Sequence, residues 1–456
     1  MDGTGSASPQ FLLLATTNPG KVREAGPLLA PATSRLGLTV RVLQPGDAEG
    51  LSEDRETFAG NAVTKALWAA RRFGLPSLGE DSGLEVDALS GAPGVRSARF
   101  SGGGTEENIR LLLERLAGVP DARRTARFRA AAALKAPGGP LFISEGLTEG
   151  VILTEPRGDG GFGYDPVFLS ADLGRSFAEV SREEKSRVSH RARALRALRG
   201  YLFEVFGDRD FTAGGSDGGL VPGHARCLAD LSEAGVSGGL LSHLVAVGRV
   251  AREAALLLAE NGQDVDPAAA AAAGLLHDVG KSAGVGRELP GRAGGPPPGV
   301  CAHAWVSAEW LRRRGYARKV TRPVMVHGLD SLSSDRFYPA TWEEKVVVLS
   351  DKLVEDRFVG LSKRIDGLRR RHPEAADVIE RSEPYLRRIE AEVARACGVT
   401  AEELGRHLAS VLAVEVLPAG AGAREAEAAG VDRSARALYT GLAGPRLDVP
   451  GDTPDT

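Results

Sequence analysis

The 456-residue chain predicts two domains of different class, an α/β domain followed by an all-α domain. Apolar runs with the composition of strands, such as Phe11–Thr16, alternate with amphipathic stretches, such as Thr105–Leu116, as far as Gly207. From about Leu240 to Ser410, apolar residues recur at helical spacing almost throughout. The Gly- and Ser-rich stretch 207–223, which separates the two patterns, has the composition of a flexible linker.

Local signals justify the elements of the first domain in order. Phe11–Thr16 and Val40–Leu43 are expected to form strands, and Thr57–Phe73 a helix with Thr57 as its N-cap. The further stretches expected to contain strands are Ser77–Val86, Arg127–Lys135 and Leu141–Leu153. In the second domain, a long helix is indicated by an apolar stripe of Leu244, Val247, Ala251, Ala254 and Leu258.

These patterns divide the chain into five segments. Residues 1–10 are predicted to be a disordered leader, and residues 11–206 form the first domain. The linker is followed by a helical domain at 224–417. The Ala- and Gly-rich tail at 418–456 is predicted to be largely disordered.

Composition and charge exclude several classes of protein. The formal net charge is -3, from 57 basic and 60 acidic side chains, whereas a general nucleic-acid-binding protein usually has a basic excess. The three cysteines are widely spaced and do not form a disulfide framework, and no apolar run approaches the length of a membrane span. We therefore expect a cytoplasmic protein that binds neither nucleic acid nor membrane.

The first candidate site begins at a turn between a strand and a helical stretch. The turn consists of Thr16, Thr17, Asn18, Pro19, Gly20 and Lys21. Backbone N–H groups at a turn that opens a helix can hold an anion, and Lys21 would add a positive charge. Taken alone, a Gly-Lys pair after a strand is more often only a surface turn.

Acidic residues flank the next predicted helix. Glu53 and Glu56 precede it, in a position that the helix macrodipole also favours, and Asn61 and Lys65 share one helix face at i and i+4.

Two more acids, Glu80 and Asp81, lie at the end of a predicted strand and are followed by Ser82. Two carboxylates in such a position can bind a hard cation through oxygen ligands, although acids in a turn are usually only solvated.

A Gly-rich loop supplies aromatic side chains. It runs from Gly161 to Pro166 and contains Phe162, Gly163, Tyr164 and Asp165. Its glycines allow a ligand to approach the backbone, and its aromatic rings offer stacking faces for a base. The alternative is a loop that packs its aromatic rings into the core.

Two predicted helix starts follow. Ser181–Glu184 matches a capping box and leads into Lys185. A helix that begins at Ser189 would place His190 and Arg191 beside exposed N–H groups, which is again an anion site.

The order of these motifs closely resembles that of the inosine triphosphate pyrophosphatase family, the noncanonical purine nucleoside triphosphate pyrophosphatases, over residues 11–203. The matching blocks are Thr16–Lys21, Glu56–Lys65, Gly79–Leu84, Gly91–Arg99, Gly160–Phe168 and Ser181–Arg191. The resemblance implies an elongated α/β domain with a central mixed sheet, usually a homodimer. It also implies Mg²⁺-dependent hydrolysis of ITP, dITP or XTP to the monophosphate and pyrophosphate, which would keep these nucleotides out of DNA and RNA.

The same resemblance implies roles for individual residues. Asp81 would be the catalytic carboxylate, as general base or magnesium ligand, and Glu53 the second magnesium ligand, with Glu56 as the alternative. Glu80 stands where relatives often have a second Asp, which leaves its role open. The implied substrate-binding residues are Thr16, Thr17, Asn18, Pro19, Gly20, Lys21, Asn61, Lys65, Ser82, Phe162, Gly163, Tyr164, Asp165, Lys185, His190 and Arg191.

Four histidines and two aspartates in the helical half form a second candidate site. In chain order they are His243, His277, Asp278, His303, His327 and Asp351. A lone histidine is usually an ordinary core or surface residue. Imidazole and carboxylate ligands from several helices, however, can enclose one or two transition-metal ions.

Residues 240–372 resemble the HD-domain phosphohydrolases, through Leu275–Lys281 (LLHDVGK) and Ser350–Lys352 (SDK). The resemblance implies one or two divalent ions of Mn, Fe, Co, Ni or Zn. The first would bind His243, His277, Asp278 and Asp351, and the second His303 and His327. Lys281 would be a catalytic residue that contacts substrate phosphate. Two alternatives are a regulatory nucleotide-binding module and a dinucleoside polyphosphate hydrolase.

Overall fold

A mixed sheet forms the centre of the first of the two units into which the chain folds. The computed structural model describes residues 10–207, 210–212, 218–288, 295–422 and 425. Of these, residues 10–33, 37–199 and those from 413 onward belong to the first unit, and residues 34–36 and 200–412 belong to the second.

Nine strands lie in the described part of the chain. They are β1 (Gln10–Leu14), β2 (Leu38–Val42), β3 (Ser77–Val86), β4 (Thr125–Lys135), β5 (Leu141–Ile152), β6 (Phe168–Ser170), β7 (Phe211–Thr212), β8 (Leu220–Val221) and β9 (Glu415–Leu417). The sheet has the order β2-β1-β3-β4-β5-β6, with β9 also paired to β5. β1 is parallel to β2 and β3, and the other pairs are antiparallel. The predicted α/β class with a central mixed sheet is confirmed.

Helices approach this sheet closely from both faces. The α-helices that begin in the first unit are α1 (Pro19–Leu36), α2 (Phe58–Phe73), α3 (Thr105–Arg115), α4 (Arg182–Val188) and α5 (His190–Arg199). A Cβ at Gly79 of β3 would overlap the carbonyl oxygen of Ala62 on α2, and a Cβ at Gly146 of β5 would overlap that of His190 on α5. Glycine at these two positions lets the helices bring polar side chains to both faces of β3.

The second unit is largely helical, as predicted. Its α-helices are α6 (Leu202–Val205), α7 (His224–Glu233), α8 (Gly238–Glu260), α9 (Pro267–Leu276), α10 (Ala283–Glu288), α11 (Ala302–Arg313), α12 (Arg318–Val326), α13 (Trp342–Leu353), α14 (Leu361–Arg371), α15 (Ala376–Ala396) and α16 (Ala401–Leu412). The Ala-rich α9 is buried along its whole length and packs on α8, where a Cβ at Gly274 would lie 2.9 Å from the Cα of Gly248. None of the described helices is both long and apolar enough to cross a membrane.

The described segments differ from the predicted ones at several boundaries. The expected linker contributes the paired strands β7 and β8, and β9 pairs with β5 instead of extending the helical domain, because residues 141–143 of β5 offer a free edge. The helical stretch expected after the Thr16–Lys21 turn is the long helix α1, whose extent was not predicted, since Pro27 and Pro31 lie inside it. Residues 1–9 of the expected leader, and all but 418–422 and 425 of the expected tail, lie outside the described residues.

We predict that Gly146→Ala destabilises the protein by about 1–3 kcal/mol or more, because the added methyl group forces β5 and α5 apart. Thermal unfolding measures the effect. Gly26→Ala is the matched control, since nothing lies within 4 Å of the added methyl group on α1, and an exposed helical Gly→Ala change is neutral or stabilising. Equal melting temperatures for the two variants would contradict this account of the packing.

Candidate functional sites

Asp81 lies in β3 and is held by two side chains of α2. Asn61 Nδ2 donates to Asp81 Oδ2 at 3.0 Å, and Lys65 Nζ donates to Asp81 Oδ1 at 3.0 Å. Thr57 caps α2 as predicted, accepting a hydrogen bond from the Gly60 N–H at 3.0 Å. The i and i+4 positions of Asn61 and Lys65 therefore orient both oxygens of a carboxylate that is only 6% exposed.

A second carboxylate shares the Lys65 ammonium group with Asp81. Glu53 Oε1 lies 3.0 Å from Lys65 Nζ, and its side chain is 43% exposed. Burial disfavours the charged form of Lys65, but the nearby acids Asp81, Glu53 and Glu80 outweigh it and raise the Lys65 pKa. The oxygens of Glu53 and Asp81 are the hard ligands that Mg²⁺ prefers. Glu53, which was preferred over Glu56 as the second magnesium ligand, therefore contacts this cluster in the structure.

Glu80 points to the opposite face of β3 from Asp81, because successive side chains of a strand alternate. Its Oε2 lies 2.8 Å from Lys21 Nζ, and its Oε1 accepts a hydrogen bond from Arg191 Nε at 3.2 Å. Burial alone would raise the pKa of Glu80, but Arg191 and Lys21 hold it well below its usual value. Glu80 thus joins Lys21 to the start of α5.

The predicted phosphate-binding turn is closed by its own side chains. Asn18 Oδ1 accepts hydrogen bonds from the N–H groups of Gly20 at 2.9 Å and Lys21 at 3.1 Å. The N–H of Asn18 donates to Thr16 Oγ1 at 3.2 Å. Thr17, Asn18 and Pro19 are exposed. An anion bound at this turn must therefore replace the Asn18 carboxamide.

Glu24 on α1 is a central residue of the site that sequence reasoning missed. Its Oε1 accepts from Lys185 Nζ at 2.8 Å, and its Oε2 accepts from Arg191 Nη1. Burial opposes ionisation, but Arg191 and Lys185 outweigh it and lower the pKa of Glu24. Its sequence signal was only an acid three residues after Lys21, which does not distinguish it from a solvated residue on a helix.

The Phe162 ring lies beside Lys185 and Arg191, the two cations that Glu24 contacts. Its ring centroid is 4.8 Å from Lys185 Nζ and 5.4 Å from Arg191 Cζ, and a Cβ at Gly20 would be 3.3 Å from the ring. Asp165 Oδ2 fixes the loop by accepting from the Phe162 N–H at 2.8 Å and from Lys185 Nζ at 2.6 Å. The aromatic loop and the phosphate-binding turn therefore meet at the Phe162 ring.

Two predicted substrate-binding residues are packed in the core. The Tyr164 hydroxyl donates to the Ser97 carbonyl oxygen at 2.9 Å, and this side chain is 5% exposed. His190 stacks on Phe128 with 4.8 Å between ring centroids, and burial lowers its pKa well below the usual value. Ser82, by contrast, accepts from Arg191 Nη2 at 2.7 Å and belongs to the site. The loop thus follows the core-packing alternative at Tyr164 but not at Phe162.

The charged side chains of this site form a series of ion pairs in which acids and cations alternate. Five acids face four cations, and the members are Asp165, Lys185, Glu24, Arg191, Glu80, Lys21, Asp81, Lys65 and Glu53. The surplus acid is compatible with a divalent cation at Glu53 and Asp81, as the oxygen ligands there also are.

The second candidate site lies where five helices of the second unit converge. His243 is on α8, His303 is on α11 and Asp351 is on α13. His277 and Asp278 directly follow α9, and His327 follows α12. All six predicted ligands are therefore brought together by the helical packing, in three overlapping groups that could hold a metal ion.

The ligands divide into two halves, each built around one aspartate oxygen. Asp351 Oδ1 lies 3.3 Å from His243 Nε2 and 3.6 Å from His277 Nε2. Asp278 Oδ1 lies 3.3 Å from His303 Nε2 and 3.4 Å from His327 Nε2. Asp278 Oδ2 is also 3.4 Å from His277 Nε2 and so links the halves. Asp278, which the resemblance assigns to the first ion, therefore contacts histidines of both halves.

Backbone carbonyl groups orient the histidine rings. The Nδ1 atoms of His277, His327 and His243 face the carbonyl oxygens of Gly274 at 2.8 Å, Val324 at 2.6 Å and Glu355 at 3.3 Å. An Nδ1–H donated in this way leaves Nε2 with a lone pair for a metal. Within the described chain, His277 Nε2 and Asp278 Oδ1 are buried without a hydrogen-bond partner, and a metal ion would supply one.

The pKa values of two ligand histidines are shifted in opposite directions. Burial, together with the neighbouring His327, lowers the pKa of His303 to about 4, so its imidazole is neutral at pH 7. Burial also disfavours charge on His277, but Asp278 and Asp351 outweigh it and raise that pKa to about 9. A metal ion at this position would displace the His277 proton, which couples binding to pH.

Three cations surround these ligands. Lys281 Nζ lies 2.5 Å from Asp278 Oδ2, Lys352 Nζ pairs with Asp351 Oδ2, and Arg364 Nη2 is 3.9 Å from Asp351 Oδ1. Lys281 was predicted, whereas no role was predicted for Lys352 or Arg364. The only sequence signal for Lys352 was its position next to Asp351, and Arg364 had none.

The two halves of the chain match two different families. Residues 12–201 match the Ham1 family, and residues 240–353 match the HD domain. The dITP/XTP pyrophosphatase of Geobacillus kaustophilus is 46% identical over 204 residues, which cover 44% of this chain and 98% of that protein. The dITP/XTP pyrophosphatase of Thermus thermophilus is 50% identical over 189 residues, which cover 41% of this chain and 89% of that protein.

A solved structure of a HAM1 protein from Coxiella burnetii is 36% identical, with a TM-score of 0.38, and the match covers 43% of this chain and 99% of that one. By its family model and its relatives, the first unit is of the Ham1 class. The chain belongs to the Ham1 family and carries an HD domain after it.

We predict that Glu24→Gln is less stable than wild type by about 1–3 kcal/mol at neutral pH, since it removes a hydrogen-bonded charge that faces two buried cations. The pKa of Glu24 is lowered from 4.5, so its ionised form contributes fully above pH 4.5 and loses this contribution as the pH falls below that value. The difference in thermal stability should therefore shrink between pH 4.5 and lower pH. The exposed Glu183→Gln is the control, and a difference that does not change with pH would contradict the prediction.

Proposed function

We propose that the first unit hydrolyses noncanonical purine nucleoside triphosphates, namely ITP, dITP and XTP, to the monophosphate and pyrophosphate. The observation that carries the proposal is the Asp81 carboxylate, held between Asn61 and Lys65 beside Glu53. The relatives named dITP/XTP pyrophosphatases support it, because the matches cover 98% and 89% of their own length. Assembly as a homodimer and a cytoplasmic location remain predictions from the sequence.

The proposed chemistry follows from the charges around Asp81. Water attacks the α-phosphorus, and the Asp81 carboxylate takes up its proton. The Lys21 and Lys65 ammonium groups stabilise the negative charge that develops on the phosphate oxygens. Glu53 and Asp81 would hold Mg²⁺, which supplies further neutralisation of the phosphates when it is bound.

The proposed selectivity for the base rests on Arg191 and Phe162. The Phe162 ring is the stacking face, and the adjacent Arg191 guanidinium presents only donors. A 6-oxo group of hypoxanthine or xanthine accepts from such donors, whereas the 6-amino group of adenine leaves them unpaired. His190, stacked on Phe128, holds the start of α5 from which Arg191 extends.

We predict that the full chain releases pyrophosphate from ITP and XTP with Mg²⁺, and that Asp81→Asn lowers this rate by about a hundredfold or more, the scale expected when a general base is lost. The isosteric control is Asp87→Asn, which changes an acid just beyond β3 that pairs with Arg127 at 2.9 Å. Near-normal turnover by Asp81→Asn would exclude Asp81 from the mechanism. Equal turnover of ATP and ITP would contradict the proposed base selectivity.

We further propose that the HD domain is a second, metal-dependent phosphohydrolase that acts on a nucleotide, with the monophosphate product of the first unit as the leading substrate. Six ligands in two linked halves support this over a purely regulatory nucleotide-binding module, which does not need a complete set. Dephosphorylation of that product would prevent its return to the triphosphate. A dinucleoside polyphosphate is the alternative substrate.

The residues of this site suit transition metals. Neutral imidazoles combined with carboxylates favour Mn, Fe, Co, Ni or Zn over magnesium alone. Such an ion, when bound, lowers the pKa of a coordinated water and so provides hydroxide near neutral pH. Lys281, whose side chain is 47% exposed, is free to turn from Asp278 toward a substrate phosphate.

We predict that the purified protein binds a transition metal and either releases phosphate from inosine monophosphate or cleaves a dinucleoside polyphosphate into two nucleotides. His277→Ala combined with Asp278→Ala should abolish both properties while pyrophosphate release by the first unit persists. His372→Ala is the control, because this exposed histidine pairs only with Glu374, outside the site. Nucleotide binding without turnover would instead favour the regulatory module. Unchanged hydrolysis by the double variant would end the catalytic interpretation.

A further inference from the structure

Helix α14 brings an arginine to the metal-ligand cluster from outside the stretch that matches the HD domain. That match ends at residue 353, whereas α14 spans Leu361–Arg371. Arg364 Nη2 lies 3.9 Å from Oδ1 of Asp351, and its side chain is 13% exposed. A guanidinium group is thus placed beside a predicted metal ligand at a distance longer than a hydrogen bond.

Glu355 fixes both this arginine and one of the metal ligands. Its carboxylate Oε1 accepts from Arg364 Nη1 at 3.0 Å and also from Arg371 Nη2. Its backbone carbonyl oxygen faces Nδ1 of His243 at 3.3 Å. Gly367 leaves space for the arrangement, since a Cβ there would lie 3.1 Å from Glu355 Oε1. The position of Arg364 relative to His243 is therefore set by a single residue.

One edge of the Arg364 guanidinium group has no hydrogen-bond partner among the described residues. Nη1 is bound to Glu355, but Nε is buried without a hydrogen bond to any described residue. Nη2 comes only within 3.9 Å of Asp351. Nε and Nη2 form the side edge of the planar fork, which is the geometry that binds two oxygens of one phosphate or carboxylate. A largely buried edge without a hydrogen bond next to Asp351 points to an anionic ligand.

The two neighbouring lysines do not compete with the Nε and Nη2 edge of Arg364 for an anionic ligand. Lys281 is paired with Asp278 and Lys352 with Asp351, so each aspartate already has a cation on its Oδ2. Metal ions on the Oδ1 side would add further positive charge. A ligand that bridges the metal centre and Arg364 must therefore be strongly anionic.

We propose that the Nε and Nη2 edge of Arg364 binds two non-bridging oxygens of the substrate phosphate, and that the HD site accepts a terminal phosphate, as in a phosphomonoester, rather than a phosphodiester. The proposal rests on the proposed hydrolase function. The arginine fork would take two non-bridging oxygens, and a metal ion held by Asp351 and the histidines would take a third, so the arrangement fits a phosphate with three non-bridging oxygens. A phosphomonoester has three of them, and a diester has two.

The test measures binding to the metal-loaded full chain by titration calorimetry, with inorganic phosphate, monomethyl phosphate and dimethyl phosphate as probes. Arg364→Gln should keep the wild-type metal content but weaken inorganic phosphate binding by about tenfold to a hundredfold, the effect of losing a charge-assisted hydrogen bond. Arg371→Gln should bind phosphate like wild type, because this residue shares Glu355 but its side chain is 49% exposed and has no contact with Asp351. Wild type should prefer monomethyl over dimethyl phosphate.

A second variant guards against a folding defect. Arg364→Lys keeps the charge that pairs with Glu355 but lacks the fork, so its phosphate affinity should also fall while its metal content stays normal. Normal metal content with unchanged phosphate affinity in both Arg364 variants would overturn the role of Arg364. Equal binding of the two methyl phosphates would overturn the monoester preference. A wild-type protein that binds no transition metal would overturn the proposed hydrolase function and this inference together.

Discussion

A charged side chain is buried at an acceptable free energy only when opposite charges and hydrogen bonds surround it. In the first unit this constraint arranges the entire site, since every buried carboxylate touches at least one ammonium or guanidinium group. Arg191 is the pivot, because it contacts both Glu24 and Glu80. A substrate that binds these cations must replace the protein carboxylates around them with its own phosphates. Binding is then an exchange of partners within a preformed set of charges.

The same constraint takes a different form in the helical unit. There, each aspartate divides its two oxygens between imidazole nitrogens and a lysine, as Asp351 does with His243 and Lys352. Buried imidazole Nε2 and carboxylate oxygen atoms without a hydrogen-bond partner fit a metal-binding site better than an ordinary packed core. The charged groups of the first site are therefore paired mainly with one another, whereas the second site brings together six potential metal ligands.

Sequence reasoning found what short-range spacing encodes. Asn61 and Lys65, one helical turn apart, were placed on one face, and the apolar stripe from Leu244 to Leu258 indeed lies on one long helix. The fold class was also predictable from the alternation of strands and helices. Glu24, Arg364 and the core position of Tyr164 were not predictable, because they depend on which faces of distant elements meet. An acid on α1 becomes central only when α5 is packed against the sheet, and no local pattern carries that information.

The strand β9 has a consequence for how the polypeptide forms. Its partner residues on β5 lie more than 270 residues earlier in the chain, and residues 200–412 of the helical unit are encoded between them. During synthesis, the sheet edge at residues 141–143 must stay unpaired until the helical unit has left the ribosome. Exposed edges of this kind recruit strands from other molecules. Messenger RNAs truncated after the codon for residue 412 would therefore yield proteins that contain nearly all of both units. These proteins would keep the edge of β5 unpaired and tend to self-associate.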